Sequence, residues 1–156
     1  MEEVTAMSYT VNTVDVWMGE IEDRVGGLAA KLGPLADTGA DLQMVIARRQ
    51  PHQRGKGVLF VGPVTGARAR RAATAAGLAE SADMAALRVE GPNRPGEGSR
   101  LTRLLADAGL NLRGISAAVL GNKFVALLAF DSAADAGKAA RLLRAGAARR
   151  KAPGRR

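Results

Sequence analysis

The sequence of 156 residues has no cysteine, a single histidine and only 3% aromatic residues. Without cysteine, disulfides, thiolate zinc sites and thiol nucleophiles are all excluded. The lone His52 has no partner for a metal site and is expected at the surface. No run of 18 apolar residues is present, and the first twenty residues carry acids where a secretory signal carries positive charge. These absences predict a cytoplasmic protein without a membrane segment or a cofactor.

Basic residues exceed acidic ones by a formal charge of +8, and most of the excess lies at the C-terminus. Residues 144–156 contain six basic residues and no acidic one, whereas the rest of the chain has 17 basic and 15 acidic residues. A terminal run of arginine, alanine, glycine and proline is typical of a solvated tail. We therefore predict a basic disordered tail over 146–156, with the remainder of the chain nearly neutral.

An internal repeat with an offset of 70 residues organises the chain. The pattern Leu-Ala-Asp-x-Gly-x-x-Leu occurs at residues 35–42 and again at 105–112. The same offset relates Asp-Arg-Val-Gly at 23–26 to Asn-Arg-Pro-Gly at 93–96. Two matches at one offset indicate a duplicated unit. The domains predicted from this repeat are an N-terminal extension over 1–11, a first domain over 12–83 and a second over 84–145.

Both units show the same order of predicted elements: strand, helix, strand, strand, helix. The first unit opens with an alternating, β-branched segment over 9–18, and the second with a shorter one over 86–89. This order predicts an α+β protein of two tandem ferredoxin-like βαββαβ units, with antiparallel sheets and helices on one face. A short closing strand is expected within 78–82. After residue 143 no such strand remains, so the fourth strand of the second unit is missing, exchanged or very short.

Local signals predict where the helices begin and end. The first helices stop at Gly39 and Gly109, where a left-handed cap is needed. The second helices are predicted to begin at Thr65 and Ser132, each as an N-cap. Pro34 falls within the first helix, where proline removes a backbone donor, so a kink or a restart is expected there.

The loop Asn93-Arg-Pro-Gly96, followed by a helix that ends in residues 105–112, resembles the ACT domain, a regulatory amino-acid-binding module. Residues 23–26 and 35–42 form a weaker copy, and the resemblance covers roughly residues 12–145. It is greatest to small stand-alone proteins of two ACT domains. It implies a non-catalytic regulatory protein with two four-stranded antiparallel sheets. An amino-acid effector would bind where the first loop of one unit meets the neighbouring unit.

Carried over by position, the resemblance implies a set of ligand-binding residues in the two loops and at the two following strands. Departures from the family pattern suggest that the units do not bind alike. Val25 replaces the motif proline, Asp23 and Asp41 replace asparagines, and Gly98 replaces a leucine. Glycines at a helix N-terminus let an anionic group approach backbone N–H donors. The implied residues are Asp23, Gly26, Gly27, Leu28, Asp41, Asn93, Gly96, Gly98 and Asn111.

The implied ligand-binding residues also have simpler interpretations. The glycines are equally consistent with turns that need their backbone angles, and Asp41 and Asn111 with local hydrogen bonds to the backbone. Catalysis finds no support, because no nucleophile, base and stabilising group occur in a recognisable spacing. The sequence therefore predicts neither an enzyme nor a metal site.

The sequence is also compatible with two other functions. A nucleic-acid-binding protein would use the basic loop over 48–56, the arginines at 68, 70 and 71 and the basic tail, but the predicted third strands lack the paired aromatics of RNA-recognition modules. A scaffolding role would pair sheet edges or helices with another chain, as in a homodimer.

Overall fold

The computed structural model describes residues 9–146, and these form two compact units. The first unit is Val14–Ala82. The second unit combines residues 9–13 with residues 83–146. Residues 1–8 of the predicted extension and all of the predicted tail after residue 146 lie outside the described residues.

The described residues form eight strands and four helices, and the pattern strand, helix, strand, strand, helix occurs twice as predicted. In chain order they are β1 (Thr10–Val14), β2 (Trp17–Glu22), α1 (Gly27–Ala36), β3 (Met44–Arg49), β4 (Lys56–Gly62), α2 (Ala67–Ala75), β5 (Ala79–Glu80), β6 (Ala85–Pro92), α3 (Glu97–Asp107), β7 (Gly114–Leu120), β8 (Lys123–Phe130) and α4 (Ala133–Gly146).

Each unit contains one four-stranded sheet. The strand order is β3-β4-β2-β5 in the first unit and β1-β6-β8-β7 in the second. The pairs of β2 with β4 and β5, and of β3 with β4, are antiparallel. So are the pairs of β8 with β6 and β7. The order is that of the split βαβ arrangement in both units, which confirms the predicted ferredoxin-like fold.

The strand that begins the described chain belongs to the second unit. The single strand predicted over 9–18 is wrong, because Asp15 and Val16 separate β1 from β2. β1 lies beside β6 and supplies the fourth strand that the sequence after residue 143 lacks. Residues 10 and 11, predicted to lie in an extension, are part of it. The break leaves no mark in the hydrophobic pattern, since Val14 and Val16 are both buried and continue the alternation across it.

Each sheet packs its two helices on one face, over a separate core. The two cores differ in which strand carries a large side chain opposite a glycine. In the first unit Ile21 of β2 lies opposite Gly57 of β4, and a Cβ on that glycine would come within 2.8 Å of the isoleucine. In the second unit the glycine is Gly91 on β6 and the large residue is Phe124 on β8. In each unit one large side chain fills the space left by the glycine opposite it, but the large residue lies on β2 in the first unit and on β8 in the second. Both cores therefore stay closely packed.

The helix ends follow the sequence signals in most places. Gly39 and Gly109 have φ angles of +76° and +72°, as a left-handed cap requires. Ser132 caps α4, because its Oγ accepts a hydrogen bond of 3.0 Å from the N–H of Asp135. The predicted cap at Thr65 is wrong: α2 begins at Ala67, after Gly66, without a side-chain cap.

The proline within α1 does not end the helix. Pro34 lies in the last turn, two residues before the end at Ala36. The helix loses the hydrogen bond that residue 34 would donate to the carbonyl oxygen of Ala30, yet it continues through the proline to Ala36 without the predicted restart. Within residues 9–146, no helix is long and apolar enough to span a bilayer.

Candidate functional site

The loop over 93–96 joins β6 to α3 in the second unit. The N–H of Asn93 donates a hydrogen bond of 2.9 Å to the carbonyl oxygen of Asn122, which ties the loop to the β7–β8 hairpin. Gly96 has φ +82° and precedes the first residue of α3. A residue with a side chain rarely adopts this angle, so glycine is required to turn the chain into the helix.

A pocket of about 250 Å³ lies beside this loop. It lies between the start of α3 and the edge strand β7, with β8 behind. Three of the residues implied by the sequence, Asn93, Gly96 and Gly98, come together in its wall. The other lining residues are Arg94, Glu97, Leu101, Ile115, Ala117, Ala118, Val119, Phe124 and Ala126. The pocket therefore has a polar end at the loop and an apolar end on the sheet.

The pocket exists because the helices leave part of β7 uncovered. Val119 lies opposite Phe124, and Ala117 opposite Ala126. Residues directly opposite in an antiparallel pair point to the same face, so both β7 residues lie on the helix side. Phe124 and Ala126 are buried there, whereas Val119 is 56% exposed. An apolar strip on the core side of the sheet is thus open to solvent.

Glu97, the first residue of α3, closes the floor of the pocket and is 5% exposed. Its Oε1 accepts a hydrogen bond from the hydroxyl of Tyr9, and its Oε2 pairs with Arg100 at 2.6 Å. Tyr9 immediately precedes β1, and its ring contacts Phe124 edge to face, with centroids 5.9 Å apart. A carboxylate can be buried only with such partners. The start of the described chain is therefore joined to the pocket floor.

The corresponding loop of the first unit is arranged differently. The N–H of Asp23 donates to the carbonyl oxygen of Gly55 at 3.0 Å, and its carboxylate pairs with Arg49 at 3.0 Å. Gly26 has φ +82°. Gly27 is buried so close to the carbonyl oxygen of Glu22 that a Cβ would lie 2.1 Å from it. Here the glycines serve the turn, and the acidic group already has a basic partner.

The first unit also has a groove of about 420 Å³ between α1 and α2. It is lined mainly by small residues, and the Nζ of Lys31 donates a hydrogen bond to the carbonyl oxygen of Ala76 at its side. Of the implied residues of this unit, only Gly27 lines this groove. The full lining is Glu22, Arg24, Gly27, Ala30, Lys31, Pro34, Ala72, Ala75 and Ala76.

Part of the basic loop over 48–56 is neutralised within the unit. Lys56 pairs with Glu22 at 2.7 Å and with Glu20 at 3.1 Å. The hydrogen bond that Lys56 donates, together with its positive charge, lowers the pKa of the Glu22 carboxyl, and the hydrogen bonds that Glu22 and Glu20 accept raise the pKa of Lys56. These pairs reduce the charge that the loop could offer to a nucleic acid.

Asp41 and Asn111 do not join the loops of their own units. Each follows the helix that the loop precedes, and both are exposed. The helix α3 has 11 residues, which is a length of about 16 Å. Asn111 thus lies at the opposite end of that helix from Gly96, and Asp41 has the same place after α1.

Residues 84–148 match the family model of the ACT domain. The second unit is an ACT domain. The first unit has the same strand order, so the chain has the architecture of a tandem ACT protein. Among curated proteins, no sequence matches the chain significantly.

Solved structures with a similar fold include regulatory parts of aspartate kinases. The ligand-free regulatory subunit of aspartate kinase from Thermus thermophilus has 18% identity and a TM-score of 0.63, over 89% of this chain and 97% of that one. The aspartokinase alpha and beta subunits have 16% identity and a TM-score of 0.62, over 91% and 97%. Aspartate kinase from Synechocystis has 19% identity and a TM-score of 0.60, over 100% of this chain and 29% of that one. At these identities the likeness shows the fold.

Sequence reasoning missed the apolar half of the pocket in the second ACT domain. Ile115, Ala117 and Val119 alternate along β7, a signal that predicts one face of a strand but not that the face is uncovered. Glu97 was also missed. Its signal was available, because the offset of 70 places this charged residue at the position of Gly27.

Proposed function

We propose that this chain is a non-catalytic regulatory protein that binds an amino acid at the pocket of its second ACT domain. The observation that carries the proposal is the coincidence of the pocket with the Asn-Arg-Pro-Gly loop. The resemblance to the ACT family implies Asn93, Gly96 and Gly98 as ligand-binding residues, and all three line one cavity.

The polar end of the pocket suits the backbone groups of an amino acid. The first turn of α3 has N–H groups without partners in the helix, and Gly96 and Gly98 allow close approach to them, which favours a carboxylate. The side chain of Asn93 can both donate and accept hydrogen bonds. Arg94 adds a positive charge on the same side. With few polar contacts, we expect a Kd between about 1 μM and 1 mM, or about −8 to −4 kcal/mol.

The similar structure from Thermus thermophilus is that of a regulatory subunit, which supports a regulatory role without catalysis here. We propose that the protein is cytoplasmic, since a chain without cysteine suits a reducing compartment. We also propose that two copies of the chain form a homodimer through the edge strand β7. Val119 and Leu120 are 56% and 81% exposed there, and an open edge with apolar side chains favours pairing with another strand.

Calorimetric titration of the intact chain with each of the twenty amino acids tests the binding. We expect saturable heat with at least one of them, and at least tenfold weaker binding by Asn93→Ala. Asn122→Ala is the matched control, because this exposed side chain lies nearby on the hairpin but does not line the pocket. Twenty silent titrations would overturn the proposal.

A further inference from the structure

The two units differ in how much side chain they place between the first helix and the sheet. Gly98 in α3 corresponds to Leu28 in α1 at the offset of 70. On the sheet, Ala117 lies opposite Ala126, whereas the corresponding Ala47 lies opposite Leu59. The second unit therefore has glycine where the first has Leu28, and alanine where the first has Leu59.

In the first unit these larger side chains cover the sheet. Leu59 is fully buried in the core, and Leu28 is half-buried and packs against that core. In the second unit, the position that a Cβ would take on Gly98 has no atom within 4 Å apart from its own helix and chain neighbours. Space that the first unit fills with leucine is therefore open in the second.

The polarity, charge and volume of this open space favour some amino-acid ligands over others. Phe124, Leu101 and Val119 are apolar. The carboxylate of Glu97 is bound by Tyr9 and Arg100, so it offers no free countercharge to a cationic side chain. The exposed guanidinium of Arg94 would repel such a side chain as well. A volume of about 250 Å³ is smaller than the range of about 300–1,000 Å³ for drug-sized ligands and suits a small metabolite.

We propose that the second ACT domain recognises an amino acid with an aliphatic side chain, of the size of leucine, isoleucine, valine or methionine. The ligand side chain would lie over Ala117 and Ala126, in the space that corresponds to Leu28 of the first unit. This inference rests on the proposed function and adds the class of ligand. It makes Gly98 the residue that determines specificity, because its missing side chain opens the pocket.

Gly98→Leu tests the inference by giving the second domain the residue that the first unit has. The backbone of Gly98 does not adopt a positive φ and the space is open, so the variant should fold and melt at or above the wild-type temperature. We expect aliphatic amino acids to bind the intact wild-type chain in calorimetry, with valine about fourfold weaker than leucine for its missing methylene. Gly98→Leu should lose at least tenfold in affinity, and Gly98→Ala should lie between.

Ser99→Leu is the matched control, since this exposed residue is next in α3 and does not line the pocket. Its affinity should equal that of the wild type. Binding of lysine, aspartate or threonine alone would overturn the aliphatic assignment and leave the proposed function in place. Aliphatic binding that Gly98→Leu does not weaken would also overturn it. If no amino acid bound, both proposals would fail.

Discussion

Replacing Tyr9 by phenylalanine removes the hydroxyl that donates to Glu97, a residue of the pocket wall, and keeps the aromatic ring. The ring can keep its edge-to-face contact with Phe124. Glu97 keeps its ion pair with Arg100 but loses the hydrogen bond to its Oε1. The substitution therefore weakens the link between the start of the described chain and α3.

The cost follows from the burial of the acceptor. Glu97 is 5% exposed, so water cannot replace the lost donor. A hydrogen bond to a charged group contributes about 1.5–3 kcal/mol. For a chain of this length, a loss of 1 kcal/mol lowers Tm by about 2–4 °C. Tyr9→Phe should therefore lower Tm by about 3–12 °C.

Thermal melts followed by far-ultraviolet circular dichroism measure the effect. A double-mutant cycle with Glu97→Gln separates the hydrogen bond between Tyr9 and Glu97 from the other effects of each substitution. We expect an interaction free energy of at least about 1 kcal/mol between the two substitutions. Thr13→Val is the control, since it removes a hydroxyl from an exposed position of β1 and should change stability by less than about 0.5 kcal/mol. A Tm for Tyr9→Phe within 1 °C of the wild type, or a cycle in which the two changes simply add, would refute the reasoning.

Three other predictions concern the first unit. Gly27→Ala places a Cβ 2.1 Å from the carbonyl oxygen of Glu22 and should destabilise by about 1–3 kcal/mol in urea. Leu35→Ala removes a fully buried side chain, so the midpoint of urea unfolding should fall by the equivalent of about 2–5 kcal/mol. Lys56→Gln should raise the pKa of Glu22 in a carboxyl NMR titration, because the lowered value depends on Lys56. Since that pKa is lowered, the contribution of the pair is present above the ordinary carboxyl pKa and is lost as pH falls through the lowered value; an unchanged pKa would contradict this.

The repeated part of the fold could be read from local patterns. Gly39 and Gly109 mark the ends of α1 and α3, and Ser132 marks the start of α4, because each acts within a few residues of its own position. The exchange of β1 could not be read in this way. Whether a strand pairs with β6 or with its own unit depends on contacts far along the chain, and β-branched alternation is the same in both cases.

In the candidate site too, the features that depend on local sequence could be predicted and those that depend on tertiary contacts could not. The loop residues Asn93 and Gly96 follow from a motif, since the turn into the helix is local. The sheet side of the pocket depends on the register that sets Ala117 opposite Ala126, and on α3 leaving β7 uncovered. Both are tertiary features. The small residue at Ala126 stands out in the sequence only when the two copies are compared, because the first unit has Leu59 at the corresponding position.

The two copies also indicate which differences concern packing and which concern binding. Where Ile21 and Gly57 of the first unit become Gly91 and Phe124 in the second, the large and small residues exchange strands, so the core stays filled. At the pocket the exchange is incomplete. Two leucines become a glycine and an alanine, and although Glu97 and Phe124 are larger than Gly27 and Gly57 at the corresponding positions, a space of about 250 Å³ stays open. An unfilled apolar space lowers the stability of a folded protein, and a ligand that fills it stabilises the fold. The space that stays open therefore indicates a binding site, whereas the exchange of large and small residues between strands indicates a packing solution.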